Sequence, residues 1–184
     1  MHKSAKGTFV FGTLFKKKIT VDDVVDSILS ALINFDRMQV WGADLSRVSG
    51  IQIERVKEEM FYLDCFAVHI VLKFNDSAGW KQNGMKIFEK VFQGCAITVA
   101  ATFADKANAT MEEVRKAGVA IDERFAAYGP IFERSEDTLN AIGTAFSKLC
   151  DVEGNSVLVR TGADLFNVRG RLLTQFAQEH PISS

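Results

Sequence analysis

Apolar positions along this chain recur at spacings of three and four, the period of an α-helix with one buried face. The clearest run is Ile53, Val56, Met60, Leu63, Ala67, Ile70 and Phe74, with a second stripe of Phe61, Val68 and Leu72 beside it. Two apolar faces require neighbours on two sides, so this helix, from about Ile51 to Phe74, is expected at the centre of the fold. Ser49-x-x-Gln52 is placed to cap its start and Asn75-Asp76-Ser77 to end it.

Five further helical segments follow from the same periodicity. One spans Thr20 to Val40, with Thr20 as N-cap, Asp22 and Asp23 in the first turn, and Val21, Val24, Val25, Ile28, Leu32 and Phe35 inward; Trp41-Gly42 is expected to stop it. Another covers Trp80–Lys106, with Ile87, Phe88, Val91, Phe92, Cys95, Val99 and Phe103 inward. Thr110-Met-Glu-Glu113 is a capping box that opens a helix carrying Val114, Ala117, Ile121, Phe125 and Tyr128. Gly129-Pro130 is expected to break or sharply kink it, because proline removes a backbone donor and crowds the preceding turn. Glu136–Cys150 places Leu139, Ile142, Phe146 and Leu149 on one face, and Ser156–Glu179 does so with Leu158, Leu165, Leu172 and Phe176.

Glycines at 94, 118, 143, 162 and 170 fall inside these segments, which points to close helix–helix approach or to kinks. The run Thr8–Phe15 is the one stretch that reads as extended, and it lacks an evident partner. The expectation is an all-α fold, a compact bundle of about six mostly antiparallel helices forming a single domain over residues 1–184, with residues 1–18 as a basic, aromatic N-terminal arm.

Composition agrees with that expectation. Two prolines in 184 residues leave long helices uninterrupted, and fifteen phenylalanines against two tyrosines favour a deep core without polar atoms to satisfy. Five lysines and no acid lie in residues 1–18, leaving 17 basic against 23 acidic residues in the remainder. A surface of that sign argues against nucleic-acid binding. The most apolar stretch, Gly94–Ala104, is about half the roughly 20 residues needed to cross a bilayer. No secretory leader pattern precedes the first helix, and three widely spaced cysteines without a CxxC pair read as reduced thiols, so a cytoplasmic protein is expected.

Candidate chemistry is sparse. Glu58, Tyr62, Cys65 and His69 share one helical face within about 60° of arc, where a thiol and an imidazole four residues apart could meet a metal or a small ligand. The bland reading is the semi-polar side of a central helix. Acids at 112, 113, 122, 123 and 133 lack the Glu-x-x-His pattern of a di-metal bundle and read as caps and solvated faces. Arg160, Arg169 and Arg171 read as solvated arginines, with an anion-binding patch as the alternative. Phe9, Phe11 and Phe15 beside Lys16, Lys17 and Lys18 could touch a partner or, less expectedly, an anionic membrane surface. Nucleophile elbows and phosphate-cradling loops are absent from the sequence. Catalysis and a cofactor are therefore not expected. The leading expectation is an interaction or assembly protein that meets a protein partner or a second copy of itself. The alternative is a small-molecule or metal-binding protein built around Cys65 and His69.

Overall fold

The computed structural model describes residues 19–33, 35–103 and 109–182. Among these are seven helices: α1 (Val21–Leu32), α2 (Phe35–Ser49), α3 (Ile53–Phe74), α4 (Trp80–Phe103), α5 (Met111–Arg134), α6 (Thr138–Leu149) and α7 (Ser156–Glu179). The arm residues Phe9, Phe11, Phe15 and Lys16–Lys18 lie outside the described residues, as do the side chains of Phe35 and Phe103.

The N-cap at Thr20 and the capping box at Thr110 form as the sequence implies, and Asp23 adds a box at Thr20 that the sequence reading leaves out. Thr20 Oγ1 accepts from the Asp23 amide while the Asp23 carboxylate accepts from the Thr20 amide; Thr110 and Glu113 repeat the exchange at the start of α5. α3 packs against each of the other six described helices and is the central element. Its ten consecutive residues from Glu59 to Val68 are all buried, so over those turns the helix meets protein on every side.

Four details differ from the sequence reading. The first segment is two helices, because α1 packs on α4 whereas α2 packs on α3, and one straight rod cannot reach both. Gly42 lies inside α2 instead of ending it, buried against the stem of Lys57, where a Cβ would sit 2.7 Å from Lys57 Cγ. The actual terminator is Gly50, at φ +76°. Ser49 does not cap α3; its hydroxyl donates back to Leu45 O at 2.6 Å, and Gln52 stands at the N-cap without a side-chain bond. α5 continues through Pro130 to Arg134, its last turn held by Ile131 and Phe132 against the core.

The buried side chains form two clusters that meet along α3. One gathers α1, α4, the start of α5 and the end of α7 around Tyr62, Cys65, Trp80, Ile87 and Ile121. The other gathers α6, the middle of α7 and the end of α5 around Leu63, Phe66, Tyr128, Phe146 and Leu158. Phe125 packs against both. α6 and α7 leave no room for a side chain at Gly143 and Gly162: a Cβ on Gly143 would collide with the Val159 carbonyl oxygen, and one on Gly162 would lie 2.7 Å from Phe146 Cβ. The C-terminal turn folds back as well. Trp80 Nε1 donates to His180 O at 2.9 Å, and the Ile182 amide donates to Ala78 O at 3.2 Å.

Candidate functional site

The four residues singled out on α3 lie along one side of the helix, yet their polar atoms go to different partners. Tyr62 Oη donates to Glu58 Oε1 at 2.9 Å, and the Arg124 guanidinium sits 5.2 Å from the Tyr62 ring centre. Burial, then the Glu58 carboxylate, pushes the Tyr62 phenol upward. Cys65 points to α4, where its Sγ lies 3.4 Å from Cys95 Sγ, and burial pushes its thiol well up. His69 is half-buried among aromatic rings, 4.6 Å from Phe88 and 5.1 Å from Phe125 by ring centres. Burial, with Lys73 nearby, holds its imidazole below the ordinary value and so neutral. Beside Cys65 the core leaves a cavity of about 10 Å³, room for roughly one water. Among the described residues no group of three or more histidine, cysteine or carboxylate side chains converges as a metal would need.

The five acids of the carboxylate reading are dispersed. Glu112 pairs with Arg115 at 2.8 Å, Glu113 serves the α5 cap, Glu133 lies 3.8 Å from Lys73, and Asp122 and Glu123 are exposed. Of the arginines, Arg160 and Arg171 are exposed as expected. Arg169 is not. Its Nη2 donates to the buried Asp64 carboxylate at 2.5 Å, tying α7 to α3.

A second buried ion pair joins α3 to α5, at residues the sequence reading does not single out. Glu59 is fully buried on α3, and Arg124 of α5 and Arg55 of α3 both reach it, at 2.6 and 3.2 Å. Burial lifts the Glu59 carboxyl above its usual range despite both guanidiniums, whereas Arg124, partly open to water, is held more firmly charged by the pair. In the sequence Glu59 falls between Val56 and Leu63, and Asp64 between Met60 and Ala67, at core spacing. A carboxylate in a core register demands a cation from another helix.

An open groove runs between the C-terminal half of α3, the end of α5, α6 and α7. Two adjoining hollows of about 790 and 710 Å³ share Ile70, Val71, Phe132, Thr174 and Gln178. Phe74, Leu139 and Leu172, which the periodicity assigned to the core, line this groove at 56%, 40% and 51% exposure. Val168 joins them. Arg171 and Asp76 are the charged residues along its lining. No helix among the described residues is long and apolar enough to cross a membrane.

No family model matches the chain, and neither the curated proteins nor the solved structures contain a match to it.

Proposed function

We propose that this protein is a non-catalytic assembly module of the cytoplasm that pairs with a second copy of itself across the α3/α5/α6/α7 groove. One observation carries the reading. Phe74, Leu139 and Leu172 keep core-type helical spacing in the sequence and yet emerge together on one open face of the fold. Apolar residues patterned for burial but left uncovered by their own chain mark a surface that another surface covers.

The charge pattern favours a second copy over an unrelated partner. A two-fold interface brings each patch against itself, so it must be self-complementary. One cation, Arg171, and one anion, Asp76, which Lys81 pairs at 2.9 Å, leave a largely apolar lining with little net charge to repel its own image. The apolar floor of Ile70, Val71, Phe132 and Phe166 suits the lower polarity of homodimer interfaces.

Sedimentation velocity over a concentration series tests this reading. The expected result is a reversible monomer–dimer equilibrium. A single monomeric species up to roughly 1 mM, where an association worth only about 4 kcal/mol would be half formed, overturns it.

A further inference from the structure

We propose that Cys65 and Cys95 form an oxidisable dithiol, a modification site at which a peroxide converts the two buried thiols into a disulfide joining α3 to α4. The proposal stands apart from the groove and rests on the placement of the sulfurs. Cys65 Sγ and Cys95 Sγ are 3.4 Å apart, already in contact, although 30 residues separate them in sequence. A disulfide holds its sulfurs about 2.05 Å apart, so each has to move about 0.7 Å. The cavity of about 10 Å³ that touches both cysteines gives the side chains slack for that movement. Cys150 provides the contrast: it is buried in the other cluster.

The chemistry balances with hydrogen peroxide as the two-electron oxidant. One sulfur gives up its proton and, as thiolate, attacks a peroxide oxygen; the O–O bond breaks, the departing hydroxide takes up that proton and leaves as water, and a sulfenic acid remains. The second sulfur, already in contact, attacks the first. The S–S bond forms, the S–O bond breaks, and the leaving hydroxide takes the second thiol's proton to depart as water. Two thiols have lost two electrons and the peroxide has become two waters. Burial raises the Cys65 thiol, so thiolate is scarce and the first step waits on local opening of the α3/α4 seam. The second step is then fast, because the partner sulfur is beside the sulfenic acid.

The test exposes the full-length native chain to hydrogen peroxide, alkylates the remaining thiols after unfolding, and maps the peptides by mass spectrometry. Exposed Met85 and Met111 serve as internal dosimeters, since their sulfoxides show that oxidant was delivered. The expected product is a Cys65–Cys95 cross-linked peptide with Cys150 still alkylated. In Cys65→Ala, and independently in Cys95→Ala, the cross-link is absent and the remaining cysteine proceeds to sulfinic acid. The wild-type map alone decides the matter if neither variant folds. Oxidised Met85 and Met111 alongside uncross-linked Cys65 and Cys95 overturn the proposal. A cross-link that involves Cys150, or one that forms only in denaturant, overturns it too.

Discussion

Arg124 on α5 holds the fully buried carboxylate of Glu59 on α3 in a fork, with Nε 2.9 and 3.0 Å from the two oxygens and Nη2 2.6 Å from Oε1. Two helices distant in sequence are thereby fixed in register by a planar, directional contact that apolar packing does not supply. Arg169 and Asp64 do the same between α7 and α3.

Removing one member of such a pair costs more than removing both, because the remaining charge is stranded in the core. Arg124→Met is expected to lower unfolding stability by roughly 3 kcal/mol, at the lower end for a broken buried pair because Arg55 Nη1 still lies 3.2 Å from Glu59. Glu59→Met combined with Arg124→Met should recover much of the loss. Urea denaturation of the two single variants and the double variant measures the coupling, and additive losses would show the pair to be energetically idle.

The helix seam at Gly143 has no room for a methyl group, since the obstacle is the Val159 carbonyl and backbone cannot swing aside. Gly143→Ala is expected to destabilise by about 1–3 kcal/mol through overpacking. Gly118→Ala is the counterpart: its new Cβ would meet Phe92 at 3.7 Å, ordinary contact, so the gain in helix propensity, up to about 1 kcal/mol, should appear as added stability. Thermal melts of the two variants should therefore move in opposite directions.

His69 sets a pH dependence. Its imidazole is held below the ordinary value in the folded chain, so the unfolded chain takes up a proton first as pH falls. The contribution is fully present above the unfolded value of about 6.5 and is lost as pH drops through the lower folded value. His69→Phe, in a pocket already lined by Phe66, Phe88 and Phe125, should flatten the decline of denaturation midpoint between about pH 7 and pH 5. An unchanged slope would exclude His69 as the source.

Leu172 separates assembly from folding. It is half exposed on the groove, so Leu172→Glu should change monomer stability by no more than about 0.5 kcal/mol. In a dimer built on the groove it would bury a charge, and the dissociation constant should rise at least tenfold by sedimentation. A dimer indifferent to both Leu172→Glu and Phe74→Glu would move the interface elsewhere.

By itself the sequence determined the helical class, the N-cap at Thr20, the capping box at Thr110, and the central place of the helix over residues 53–74, since helical spacing and caps are local properties written in adjacent residues. It also held the acids at 59 and 64 in core register, although not their partners. Tertiary structure alone decided where the first segment divides, because that depends on α1 and α2 reaching different neighbours. It decided that Pro130 stays inside α5, because packing of Ile131 and Phe132 outweighs a missing backbone donor. It also decided that Phe74, Leu139 and Leu172 surface together while Arg169 turns inward. Periodicity tells which residues share a face; only the arrangement of the other helices tells whether that face is covered.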